Sequence, residues 1–154
     1  MKNLYKTIKN AKKKRFLFGT KAIFKSGCSI SSESIKLIEV KLGLSFPDLV
    51  KEFLLELGAG QTEDLYIHGE SQIYAFDQDN GPIAGFVTFA SDSLGSFFAF
   101  NPESTNRGEI FYCCHDPLGY AEVAKDANEF LGKIIDSDYD NLELAANLKL
   151  IEYE

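Results

Sequence analysis

Between Gly60 and Asp64 the apolar pattern of this chain changes its period from 3.6 residues to 2, and that switch constrains the fold more than any other feature. Upstream, "SISSESIKLIEVKLGL" offers serines able to cap a helix, sets Ile35, Ile38 and Leu42 on one face, and meets Gly43 where a helix would stop. "SFPDLVKEFLLELGAG" follows, with Pro47 at a first helical position and Leu49, Val50, Phe53, Leu54 and Leu57 as its buried stripe before Gly58 and Gly60. A link this short makes the two helices neighbours in space. Downstream, "DLYIHGE", "QIYAF", "GFVTFA", "SFFAF" and "GEIFYCC" are short, aromatic or β-branched, and separated by Gly, Pro, Asn and Asp. They predict an antiparallel meander. After it, Asp126 and Glu129 give a capping-box-like start to "ANEFLGKIID", with Phe130, Leu131, Ile134 and Ile135 facing inward, and "DYDNLELAANLKLIEYE" is read as a final helical turn or two. The expected fold class is α+β: one domain, an antiparallel sheet flanked by N-terminal and C-terminal helices.

Aromatic content supports the sheet. Thirteen Phe and seven Tyr suit pleated faces, and 154 residues are enough for one hydrophobic core without disulfides or a metal. No apolar run approaches the roughly 20 residues of a membrane span, and "FLFG" is too short for the apolar part of a secretory leader. A cytoplasmic protein is the expectation.

Charge divides the chain sharply. Residues 1–25 carry nine basic residues, Lys2, Lys6, Lys9, Lys12, Lys13, Lys14, Arg15, Lys21 and Lys25, and no acid; the other seven basic residues face all 23 acids, a balance of −16. Residues 1–27 are therefore set apart as a basic N-terminal arm or helix, with Leu4, Ile8 and Ala11 at helical spacing, and 28–154 as the domain proper. Such a body repels nucleic-acid phosphates and attracts basic proteins by long-range steering. The basic start has two readings: an arm for nucleic acid or anionic lipid, or a solvated face that folds back on the acidic body, the latter preferred because most charge runs are solvated surface.

The most chemical-looking stretch is "FYCCHDP", Phe111 to Pro117. Zinc sites use clips such as Cys-x-x-Cys whose side chains converge, whereas adjacent strand residues diverge, and no second clip exists; no metal is expected. A catalytic cysteine needs a histidine base across space, and only His68 could reach Cys113 or Cys114 from another strand. Alternation instead puts Ile110, Tyr112 and Cys114 on one face and Phe111 and Cys113 on the other, so the stretch reads as a strand whose tip, His115, Asp116 and Pro117, leaves the sheet. With three cysteines, an odd number, reduced thiols are expected. "LGAGQ" lacks the phosphate-loop pattern and reads as a helix cap.

The run from Ser31 to Gly60 resembles the N-terminal signature of the SUKH superfamily, the family of yeast cell-wall-assembly regulators and bacterial immunity proteins. Matching residues are Ile35, Glu39, Leu42, Gly43, Phe46, Pro47, Phe53, Leu54, Gly58 and Gly60. "FASDSLGSFFAFNP" resembles its central strand pair, and "GEIFYCCHDP" followed by "VAKDANEFLGKI" its closing strand and helix, so that the resemblance covers roughly residues 28 to 135. It implies an α+β domain with no catalytic residues to carry over and no cofactor and, for bacterial members, neutralisation of a partner toxin, often a nuclease, by direct protein contact. The expected partner is thus a basic toxin domain, with no direct nucleic-acid binding and no membrane insertion. Loop residues Asp77, Asp79, Asp92, Glu103, His115 and Asp116 are the candidate contacts, and Tyr66, Tyr74 and Tyr112 are aromatic anchors if exposed. A regulatory scaffold of a cell-envelope or signalling complex is the second reading, and a cysteine-dependent enzyme the third.

Overall fold

A computed structural model describes residues 2–14, 17–103, 108–138, 140 and 145–152. Four helices are described, α1 (Lys2–Asn10), α2 (Ser32–Leu42), α3 (Asp48–Leu57) and α4 (Ala127–Asp136). Each of the last three starts and stops for a local reason. Ser31 caps α2 by accepting from the Ser34 N–H, and Gly43 ends it in the left-handed conformation at φ 67°. Pro47 opens α3, and the Gly58 N–H closes it on the Leu54 carbonyl. Asp126 accepts from the N–H groups of Asn128 and Glu129, while Glu129 accepts in return from the Lys125 N–H at 2.9 Å.

The signature residue Glu39 joins α2 to α3. Its Oε1 accepts from the Phe46 N–H at 2.7 Å and lies 3.0 Å from Lys51 Nζ. Partial burial pushes this carboxyl up, but the Phe46 N–H and Lys51 outweigh it and hold Glu39 below its usual value of 4.5. A group lowered in the folded state stabilises the fold above its unfolded pKa and loses that contribution as pH falls. Glu39→Gln is therefore expected to cost about 1–2 kcal/mol at pH 7, the scale of a charge-assisted hydrogen bond, and to flatten the fall in stability that the parent shows below pH 4.5. Urea denaturation from pH 3 to 7 measures both.

The sheet strands are β3 (Lys25–Ser26), β4 (Gly60–Gln61), β5 (Leu65–Ile67), β6 (Tyr74–Ala75), β7 (Val87–Asp92), β8 (Phe97–Phe100), β9 (Ile110–His115), β10 (Leu118–Ala124) and β11 (Ile151–Glu152). Every pairing is antiparallel, in the order β11-β10-β9-β8-β7-β5-β4-β3. β5 and β6 share one edge of β7: Leu65 to Ile67 pair with Asp92 to Ala90, and Tyr74 and Ala75 with Thr88 and Val87. A separate two-stranded hairpin, β1 (Lys12–Lys14) and β2 (Thr20–Ala22), lies before the sheet.

Three expectations are corrected. "LGYAEVA" was not expected as a strand, yet it forms β10, so "HDPL" is a hairpin turn rather than the end of the sheet. Its Gly, Ala and Glu are weak strand formers, but Gly119 admits β11 closely, a Cβ there meeting the Ile151 carbonyl at 3.2 Å. The chain end adds this edge strand at Ile151–Glu152; of the segment read as a final helical turn or two, residues 138–154, positions 139, 141–144, 153 and 154 lie outside the described residues. Lys12–Lys14 are strand rather than the end of the first helix.

One face of the sheet carries the core. α3 presents Phe53, fully buried, edge-on to Phe89 at 5.5 Å and tilted to Phe130 of α4 at 6.2 Å, while Phe98 of β8 meets Phe130 at 5.0 Å. Helix α1 joins this core through Tyr5 and Ile8, with the Tyr5 ring edge-on to Phe53 at 6.5 Å. Helix α1 is thus packed against the domain.

The open face of the sheet as a candidate protein interface

Side chains directly opposite in antiparallel strands share a face, so the register defines what the sheet presents away from the helices. One row runs Gln61, Tyr66, Ser91, Phe97, Cys113, Tyr120 and Ile151. A second runs Tyr74, Thr88, Ala99, Phe111 and Glu122. Tyr74, Phe76 and Phe97 form a mutually edge-on triad with centroids 5.8 to 6.1 Å apart, and His68 packs edge-on to Phe97 at 6.2 Å. The loop before β7 covers only part of this face, where Ile83 and Phe86 lie over Ala99 and Cys113, Phe86 meeting Phe111 at 4.9 Å. Tyr66 and Tyr74 stay open, at 38% and 42% exposure.

Two hairpin tips project from one end of the sheet. Gly95 of the β7–β8 turn lies against the His115 ring, and Ser96 Oγ is 3.3 Å from His115 Nδ1, which joins that turn to the β9–β10 turn. Leu94 and Leu118 are both exposed at these tips. Apolar side chains of this size beside open aromatics are the composition of a protein-binding patch.

The six loop candidates do not form one patch. His115 and Asp116 stand at the Phe97 end of β8, whereas Asp77, Asp79 and Glu103 lie at its Phe100 end, and all five are exposed. The two ends are separated by the six-residue β7, about 17–20 Å. Asp77 Oδ1 accepts from the Asp79 N–H and from Asn80 Nδ2, so its turn is stiff as well as acidic.

Asp92 is not a surface residue. At 4% exposure it accepts from the Leu94 and Ser96 N–H groups through Oδ1, both at 2.9 Å, and from the Tyr112 hydroxyl through Oδ2 at 2.8 Å. Tyr112 is buried with it, so the condition for its use as an anchor is not met; burial and then the Asp92 carboxylate push its hydroxyl well above the usual range. Short polar residues in turns serve backbone donors first, and here that use consumes the whole carboxylate.

The cysteines divide as the alternation implies: Cys113 buried on the open-face side under Phe86, Cys114 beside the core, its Sγ donating to the Asp116 carbonyl at 3.3 Å. β7 and β8 stand between β5 and β9, so His68 is three strand spacings, about 14 Å, from the β9 thiols. Its Nε2 instead meets Ser91 Oγ at 3.2 Å, and burial lowers its pKa so that the ring is held neutral. Burial pushes the Cys113 thiol up to about 12. At neutral pH it then carries on the order of a thousandfold less thiolate than an ordinary cysteine. Iodoacetamide followed by peptide mapping is expected to modify exposed Cys28 first and Cys113 only after unfolding; fast native labelling of Cys113 would contradict this burial.

Sequence reasoning passed over Phe76, Leu94, Phe97, Phe111, Leu118 and Tyr120. A signal was present: "FFAF" and "IFYCC" are apolar at every position, so both faces of their strands are apolar, and helices cover only one. Among the described residues no three His, Cys, Asp or Glu side chains converge as metal ligands, and no helix is long and apolar enough to cross a membrane.

Fold and face together define an α+β domain whose sheet is packed by helices on one side and offers an aromatic face on the other, a form suited to protein–protein contact. The family model described as the SMI1 / KNR4 family (SUKH-1) matches residues 29–133, about two thirds of the chain, and the chain belongs to that family. The matched segment runs from just before α2 into α4 and leaves α1 and the β1–β2 hairpin outside. No curated protein and no solved structure gives a match to the chain.

Proposed function

We propose that this chain is an immunity protein that binds and neutralises a cognate bacterial toxin, a basic domain such as a nuclease, by covering its working surface. The observation that carries the reading is the open face: Tyr66 and Tyr74 on its strands and Leu94 and Leu118 at the hairpin tips are all exposed, on a body whose balance outside the first 25 residues is −16. A surface built to receive phosphates is cationic, so an acidic body approaches it quickly, and the aromatic face then supplies the short-range contact. Family membership is consistent with this role. No chemical step is required of the chain, and no cofactor.

The test is growth rescue when the chain is co-expressed with the toxin candidate encoded beside it, together with co-purification at 0.05 and 0.5 M salt. Restored growth and a complex that forms faster at low salt are expected. Growth that stays arrested, with no complex at either salt concentration, would overturn the reading. Asp77→Lys with Asp79→Lys should slow association several-fold and leave dissociation nearly unchanged, since exposed rim charges act mainly on encounter.

A further inference from the structure

The β1–β2 hairpin contributes to none of the contacts described above. It is a two-stranded sheet of its own, outside the segment that matches the family, and every residue of both strands is exposed. An isolated hairpin of this kind adds little to stability, and this one carries two features that cost something in water.

The first is a like-charge pair. Lys13 and Lys21 are direct cross-strand partners, an arrangement that destabilises a hairpin. Among the described residues its relief comes from Glu63, 3.6 Å from Lys13 Nζ and highly exposed, so the pair is weak. Lys25 of β3 completes a cationic rim: Lys13, Lys21 and Lys25 line a cavity of about 250 Å³ with Gln61, Thr62 and Glu63 at its wall. That is room for a phosphate group with part of a headgroup, and three ammonium groups against the single Glu63 carboxylate leave a net positive rim that an anion would relieve.

The second is the apolar turn. Leu17 and Phe18 are exposed at 73% and 82%, although the core lies within reach of other residues in the same segment, such as Tyr5, Ile8 and Phe24. Lysines behind an exposed apolar tip match the interface of an anionic bilayer, where apolar side chains enter the acyl boundary and ammonium groups meet phosphates. A nucleic acid fits less well. Leu17 has no use for a phosphodiester, and eight of the nine basic residues in 1–25 are Lys rather than the Arg that forks onto phosphates and bases. A long polyanion would also run onto the acidic body, whereas a plane touched by one tip need not.

We propose that the β1–β2 hairpin is a peripheral membrane-docking element: Leu17 and Phe18 enter the interface of an anionic phospholipid bilayer, and Lys13, Lys21 and Lys25 hold a lipid phosphate in the cavity behind them. The site is independent of the open face, so it stands whether or not the toxin reading does.

The chain contains no Trp, so Phe18→Trp gives a single clean reporter at the tip. The full chain is mixed with vesicles of phosphatidylcholine alone and of phosphatidylcholine with about one third phosphatidylglycerol, at 0.05, 0.15 and 0.5 M salt. Expected are a blue shift and co-sedimentation only with the anionic vesicles, fading as salt rises. Leu17→Ser with Phe18→Ser, which leaves every charge in place, should reduce partitioning about tenfold or more, and Lys13→Gln with Lys21→Gln should do the same while leaving the melting temperature unchanged or raised. Two results would overturn the proposal: equal binding to neutral and anionic vesicles or to neither, and tighter binding of a single-stranded or duplex oligonucleotide than of anionic vesicles. Soluble glycerophosphate that binds as well as vesicles and is indifferent to the Leu17 and Phe18 changes would reassign the cavity to a free phosphoester and refute the membrane source.

Discussion

Asp92→Ala is expected to lower the unfolding free energy by about 3–5 kcal/mol, because three donors lose their acceptor at once and each buried, unsatisfied donor costs about 1–3 kcal/mol. Two of those donors are the Leu94 and Ser96 N–H groups that shape the β7–β8 turn, and the third is the hydroxyl of Tyr112, buried on the core side of β9 against Phe98. For a chain of this size the melting temperature should fall by about 10 °C. Asp92→Asn tells the two roles of this residue apart. Its amide oxygen still accepts from both turn N–H groups, and its amide nitrogen can donate to the Tyr112 oxygen, so it should recover more than half of the loss. If Asp92→Ala melted with the parent and weakened only partner binding, the internal role drawn from these hydrogen bonds would be wrong and a contact role would replace it.

The second large effect concerns binding. Tyr66→Ala with Tyr74→Ala removes the two open aromatics of the sheet face, and with central aromatic anchors costing about 2 kcal/mol or more each on truncation, affinity for the proposed toxin partner should fall by roughly a hundredfold to a thousandfold. The fold should survive, since both side chains are more than a third exposed and their strands remain paired through the backbone. Isothermal titration against the purified toxin domain, with a melting curve of the variant, measures both quantities. An unchanged affinity in a folded variant would move the interface off this face, leaving the hairpin tips around Leu94, His115 and Leu118 or the far-end acids Asp77, Asp79 and Glu103 as the region to scan next. Because growth rescue would still succeed in that case, the position of the interface and the toxin reading fail separately.

Much of the helical half was legible because its signals are local. A serine before "ESIKLIEVKL", a glycine after it, a proline before "DLVKEFLLEL" and another glycine beyond are short-range chemistry, and each sits where its helix begins or ends. The acidic cap at Asp126 belongs to the same class. Glu39 was legible only as a letter in a signature; its bond to a backbone N–H seven residues away gives that letter a physical meaning. β10 was missed for the opposite reason. No local propensity marks "LGYAEVA" as a strand, and it becomes one because β9 on one side and β11 on the other supply its hydrogen bonds.

Candidate site residues show the same division. Charge on a loop can be read from letters, and Asp77, Asp79, Glu103, His115 and Asp116 are indeed exposed. What letters cannot hold is distance. The same spelling covers Asp77, which faces water, and Asp92, which is spent inside, because burial depends on which strands close around a turn. Likewise, alternation assigned Tyr112 and Cys113 to opposite faces, but only the loop carrying Ile83 and Phe86 decided that Cys113 is covered while Tyr66 and Tyr74 are left open.

Sequence alone thus determined the α+β class, the boundaries of α2, α3 and α4, the antiparallel strands from β5 to β9 and the charge asymmetry, since each follows from neighbours a few residues apart or from a count. Tertiary structure decided the rest: the strand order that separates His68 from the β9 thiols, the division of the loop acids between two ends of the sheet, the docking of α1 into the core beside a hairpin left outside it, and the half-covered aromatic face. These depend on contacts between residues far apart in the chain, whose free energies are shared among many partners and are written at no single position.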